Sequence, residues 1–155
     1  MSKNNKRVSL QSVHVFVDKV YIKLLKKNMK LFPRIMYQSN EICKFAIQND
    51  WTNLKFVRRK TIDLGILAFN INCEAIKYIY KQPHFMRRKA VMTNGLLLRY
   101  IKKQNSQICE KAIKQNPLSL QFVNVPTVKL CRLALNLDPK TISFVPMHIL
   151  EKMTY

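Results

Sequence analysis

Glycine is almost absent from this 155-residue chain: Gly65 and Gly95 are its only two. A β-rich fold needs glycine at many of its tight turns, so two glycines speak against one. Acids are scarce as well, 8 against 28 lysines and arginines, giving a formal net charge of +20. They are dispersed from Asp18 through Asp63 and Glu110 to Glu151, and no two sit at a spacing that builds a general acid/base pair. No GxxxxGK, GxGxxG or GxSxG is present, which removes the phosphate cradle, the dinucleotide turn and the nucleophile elbow. The sequence therefore predicts no catalytic residue and no cofactor. It also lacks CxxC and HxxxH pairs, and His14, His84 and His148 are scattered, so no metal site is expected. No apolar run approaches the ~20 residues a membrane span requires. The polar N-terminus does not read as a signal peptide, so the expected location is a reducing intracellular compartment, not the secreted space.

What the chain does have is a period. Ala46, Ala68, Ala90, Ala112 and Ala134 are 22 residues apart. Asp50, Asn72, Asn94, Asn116 and Asp138 follow at plus four, and Leu54, Ile76, Leu98, Leu120 and Ile142 at plus eight. An aromatic stands at plus ten (Phe56, Tyr78, Tyr100, Phe122, Phe144) and a branched aliphatic at plus eleven. Self-similarity at a fixed short period is the signature of a repeat architecture. Within a unit, apolar positions at minus four, zero and plus one share one helical face. Ser39, Thr61, Asn105 and Thr127, seven residues before the alanine, are N-cap residues that satisfy the free N–H groups of a first turn. A second cap is expected at each Asn or Asp of plus four, followed by proline in Asn116-Pro117 and Asp138-Pro139. The unit thus reads as two short α-helices, the second ending near plus thirteen. Helices so short are marginal alone and are held by their neighbours.

The predicted fold class is all-α: a right-handed-type solenoid of short antiparallel helix pairs. Five clear repeats span 39–60, 61–82, 83–104, 105–126 and 127–148, and a degenerate copy spans 17–38. There Leu24 replaces the alanine, and Pro33 should shorten or bend the second helix. Residues 13–32 read alternatively as one amphipathic helix with Val13, Phe16, Val17, Val20, Leu24 and Leu25 on its apolar face. Residues 1–10 read as a disordered basic arm and 11–155 as one domain. A leucine-rich horseshoe, whose period also admits 22, is disfavoured by Thr52, Glu74 and Lys140 at a position that needs an apolar residue.

The charge is placed unevenly. Residues 1–38 carry nine basic residues and one acid, residues 83–104 six and none. Arg58, Arg59 and Lys60 follow one second helix, Lys102 and Lys103 the equivalent one two repeats on, and Lys81 lies between. Such positions line an edge, with Arg87, Arg88 and Lys89 early in a first helix near it. Together with Lys23, Lys26, Lys27 and Lys30 they are the candidate phosphate contacts, which position a polyanion without reading its bases. The expected partner is nucleic acid, DNA before RNA, or else an acidic protein. Residues 13–32 could alternatively lie on an anionic membrane surface. The plus-ten aromatics could form a stacking platform for single strands, but their apolar neighbours at plus eight and eleven favour core packing. Cys43, Cys109 and Cys131 share one register. Equivalent helices lie roughly 8–10 Å apart, beyond the roughly 7 Å that a disulfide spans, so thiols are expected.

The phrase A-Φ-x-x-N-x-x-x-Φ-x-[FY]-[VI], repeated from Ala46 to Val145, resembles the short tandem helical repeats of unknown function found in giant DNA viruses, Marseillevirus-like, and in protists. The resemblance covers 39–148 well and 17–38 weakly. It implies a helical repeat protein, of viral origin and carried in the virion, without catalytic residues to transfer. The high charge turns that expectation toward association with a genome.

Overall fold

A computed structural model describes residues 10–153. The expected basic arm thus falls, apart from Leu10, outside the described residues. The described chain is all helical, with no strand, and α-helices alternate with six-residue 3-10 helices (η). The order is α1 (Leu10–Lys27), η1 (Met29–Arg34), α2 (Asn40–Asn49), η2 (Trp51–Phe56), α3 (Ile62–Ile71), η3 (Cys73–Tyr78), α4 (His84–Thr93), η4 (Gly95–Tyr100), α5 (Ser106–Gln115), η5 (Pro117–Phe122), α6 (Val128–Leu137), η6 (Pro139–Phe144) and α7 (Met147–Glu151). Helices α2 to α6 are ten residues each and start 22 residues apart.

The starts follow from side-chain chemistry. Backbone N–H groups of Ile42, Leu64, Ile108 and Leu130 donate to the hydroxyl or amide oxygens of Ser39, Thr61, Asn105 and Thr127 at 2.9–3.4 Å. At α4 that place is held by Pro83, which makes no such bond. Each 3-10 helix starts on an Asn or Asp side chain that accepts from the N–H two residues on, as Asn116 does from Leu118 at 3.0 Å.

The second helices depart from expectation in type and length. They are 3-10 rather than α, and stop at plus ten instead of plus thirteen. The residue at plus eleven is already extended, and its N–H closes the last turn on the plus-eight carbonyl (Ile101 N to Leu98 O, 3.0 Å). Side chains three apart eclipse one another in this geometry, which suits the buried pairs Leu54/Val57, Ile76/Ile79 and Leu98/Ile101. The last copy differs, for Ile142 is 55% exposed. Pro33 does not shorten η1, which has six residues like the rest. Its fixed φ suits a 3-10 turn and removes only one N–H.

The chain divides into two compact units, one running to Ile71 and the other from Asn72. In the first, α1 packs on η1 and α2, and α2 on η2 and α3, around Phe32, Ile42, Ile47, Leu54 and Phe69. Of the expected apolar face of α1 only Leu25 is buried; Val13, Phe16, Val20 and Leu24 are 42–68% exposed. One helix can press only one side of itself on α2 and η1, and Leu25 lies on that side.

In the second unit α4 packs on α5, α5 on α6, η4 on η5 and η5 on η6. Ala90, Ala112 and Ala134 are fully buried and allow close approach, since a larger side chain would hold the helices apart. Buried polar groups at plus seven bond backbone carbonyls: Asn53 to Ala46 O (3.0 Å) in the first unit, Ser119 to Ala112 O (3.2 Å) in the second. Such pairing is what makes burying them tolerable. The three in-register cysteines are buried free thiols. Burial pushes the Cys43 thiol up to about 11, and shifts Cys109 and Cys131 upward too.

Candidate nucleic-acid interface

Arg58, Arg59, Lys60, Lys81, Lys102 and Lys103 sit where η2, η3 and η4 hand over to the next α-helix, and glutamines set the path of the chain after η2, η4 and η5. Gln82 donates to Tyr100 O at 2.8 Å and accepts from Lys102 N at 3.0 Å, bracketing the turn one repeat on. Gln104 does the same with Phe122 O (2.8 Å) and Asn124 N (3.0 Å). In the first unit Gln38 brackets Phe56 O (3.3 Å) and Arg58 N (2.9 Å). The backbones of Arg58 and Lys102 are thereby fixed while their side chains stay exposed. Sequence reading missed these glutamines, although all three stand eight residues before a repeat alanine.

In the second unit Lys81, Lys102 and Lys103 are all exposed. None of the three forms a salt bridge among the described residues. The Lys102 ammonium lies 3.7 Å from the centroid of the Tyr80 ring, a residue 78% exposed. Arg87 is half-buried and donates to the Lys103 carbonyl, so it buttresses this turn from α4. Arg88 and Lys89 are exposed elsewhere: Arg88 lines a groove with Gln107, Glu110, Lys111 and Lys114 between α4 and α5. Successive helical residues point about 100° apart, so a run of three cannot serve one edge.

In the first unit Arg58 and Arg59 are exposed, with the Arg58 guanidinium 3.0 Å from Met36 Sδ. Lys60 holds the place of the bracketing glutamine and donates to the carbonyls of Lys55 (3.2 Å) and Val57 (2.9 Å). Lys23, Lys26, Lys27 and Lys30 are exposed on α1 and η1.

Apart from Asp63 in the first turn of α3, the scarce acids lie off these turns. Glu41 pairs with Lys44 (2.9 Å), Glu74 with Lys77 (3.3 Å), and Glu110 with Lys114 (2.7 Å) and Lys129 (3.8 Å). The hydrogen bond and charge of Lys114, helped by Lys129, hold the Glu110 carboxyl below the usual range. Asp50 and Asp138 cap 3-10 helices.

The plus-ten aromatics are less buried than their apolar neighbours led one to expect. Phe56 is 39% exposed, and Tyr78, Tyr100, Phe122 and Phe144 are half-buried. The shorter 3-10 helix turns plus seven, eight and eleven inward and leaves plus ten at the rim. There cations cover the rings: Arg99 sits 5.1 Å from the Tyr100 centroid and 5.3 Å from that of Phe122. Lys55 lies 4.5 Å from the Phe56 centroid and Lys77 5.3 Å from that of Tyr78, so Lys55, Lys77 and Arg99 are basic residues that sequence reasoning passed over, legible in hindsight from a cation directly before the aromatic. Among the described residues no cluster of three metal-ligating side chains occurs, and no helix is long and apolar enough to cross a membrane.

Residues 88–126 match the family model of a domain of unknown function (DUF4116), a stretch that takes in the second half of α4 and all of η4, α5 and η5. No curated protein and no solved structure matches the chain.

Proposed function

We propose that the chain is a solenoid of α/3-10 helix pairs that binds nucleic acid without reading its sequence, through phosphate contacts from the turns after η2, η3 and η4. The observation that carries this reading is the separation of charge. Glu41, Glu74 and Glu110 are tied up in local ion pairs and Asp50 and Asp138 in caps, while Lys81, Lys102 and Lys103 keep their ammonium groups exposed and unneutralised, Lys102 on a turn of fixed backbone. Cations held in this way release counterions from a polyanion when they meet it, a sequence-independent gain. Exposed lysines matched by acids would merely solvate the surface.

The test is a salt series with labelled duplex DNA, single-stranded DNA and RNA. Binding of the parent chain falls steeply with salt. Changing Lys81, Lys102 and Lys103 together to Gln lowers the log–log slope by about 2.7, at about 0.9 per phosphate contact on duplex DNA. An unchanged slope in that variant moves the contact off these turns, and absence of binding at ~50 mM salt rejects nucleic acid as the partner.

A further inference from the structure

The exposed row on α1 is unlike the rest of the surface. Val13, Phe16, Val20 and Leu24 follow one another at steps of three and four residues, which places them in one line along the helix. They are 42%, 68%, 43% and 45% exposed. Leu25 holds the helix to its unit from another side, so the row is not needed for packing. Lys19, Lys23, Lys26 and Lys27 are exposed on the same helix, and Lys30 follows on η1. The one acid of α1, Asp18, is half-buried, and its Oδ1 is shut away from solvent.

An exposed apolar line on a helix that also carries exposed lysines is the pattern of a helix lying in the headgroup layer of an anionic bilayer. We infer that α1 is a peripheral membrane-binding helix for anionic lipid, a site separate from the basic turns of the second unit. The row enters the acyl boundary, and the lysines extend their alkyl stems along it to reach lipid phosphates. A second copy of the chain fits less well, because it would bring a second set of lysines to the same contact. A protein partner also fits less well, since one row of four side chains is far short of the roughly 20–30 residues a side of a standard interface. The sequence of residues 1–9 adds Lys3, Lys6 and Arg7 and offers little apolar matter to cover the row.

The experiment floats the full-length chain with vesicles of phosphatidylcholine containing phosphatidylserine, and with phosphatidylcholine alone. The chain is expected to float with the first and not the second. Exchanging Phe16, Val20 and Leu24 together for Gln keeps the helix, because these positions are exposed and glutamine is a good helix former. Circular dichroism checks this. The exchange lowers partitioning by about a hundredfold, and Lys23→Gln with Lys26→Gln and Lys27→Gln does so by a similar factor. The apolar-row variant keeps all the lysines and therefore the salt slope of DNA binding, so this inference and the nucleic-acid reading fail separately. The inference is overturned if the apolar-row variant floats like its parent, which would leave only non-specific attraction of a basic protein. Sedimentation showing a dimer without lipid that the same variant dissolves would also overturn it.

Discussion

Replacing Gly95 by alanine should damage the second unit more than one methyl group suggests. A Cβ at Gly95 would run into the carbonyl oxygen of Ala112 and lie 2.6 Å from Ser119 Oγ and 3.0 Å from Gln115 Oε1. The hydroxyl and amide can swing away, but the Ala112 carbonyl belongs to the backbone of α5 and already accepts from Asn116 N at 2.8 Å and Ser119 Oγ at 3.2 Å. Relieving the overlap means moving η4 off α5. Overpacking of this kind costs about 1–3 kcal/mol. The bond from Gly95 N to Gln115 Oε1 and that from Ser119 to Ala112 are also loosened, at about 1 kcal/mol each. Alanine returns about 0.4–1 kcal/mol by restricting the unfolded chain. The net expectation is a loss of about 3 kcal/mol, read as a lower urea midpoint by far-ultraviolet circular dichroism. Adding Ser119→Ala clears one obstacle and leaves the backbone one, so the double variant regains less than half of the loss. A Gly95→Ala chain within about 0.5 kcal/mol of its parent would refute the claim that η4 and α5 are in contact through this atom.

Two further outcomes can be measured in the same way. Gln104→Ala leaves Phe122 O and Asn124 N without their bracket and should cost about 1–3 kcal/mol, whereas Gln121→Ala, which loses only a bond to Leu118 O at 2.9 Å on an exposed surface, should cost about 0.5 kcal/mol or less. Equal losses would show that the bracket adds nothing. Cys43 gives a pH signature: the folded thiol holds its proton up to about 11 against the usual 9, so the folded state binds more protons between those values. Stability is therefore whole below pH 9 and falls as pH rises toward 11. Cys43→Ala should flatten that decline in a series of urea midpoints, and a decline of the same steepness would exclude this thiol as its source.

Much of the helical plan could be read from residues whose job is local. Ser39, Asn105, Asn116 and Asp138 cap the helices they precede, because a short polar side chain before an apolar run has one good use. The alanines mark buried contact points for a similar reason: few residues fit where two helices nearly touch. The type of the second helix was hidden, since positions three apart share a face in both α and 3-10 geometry over so short a stretch. That ambiguity carried over to Phe56 and Tyr100, which a longer helix would have turned further in. Gln82 and Gln104 were illegible for another reason. Their partners are backbone groups about twenty residues away, and backbone leaves no mark in a sequence. For the candidate site, Lys102 and Lys81 were recognisable from register, while Arg87 and Lys60 were not separable from them, because a bond to a carbonyl depends on which way a long side chain turns. The exposed line on α1 was visible as an amphipathic pattern, but pattern alone does not say whether a neighbour covers it.

The glutamine bracket also explains a pair of prolines. Continuing the 22-residue register, the bracketing position after Gln82 and Gln104 falls on Pro126, and the amide it would hold falls on Pro146. Proline has no side-chain amide to offer, and its ring nitrogen has no hydrogen to give. Both halves of the bond are thus deleted at once, and no stranded donor is left to solvate. The other group that the bracket would hold, the Phe144 carbonyl, loses its side-chain donor. The two prolines thus remove the N–H half of the bracket from the turn between η6 and α7 without stranding a donor.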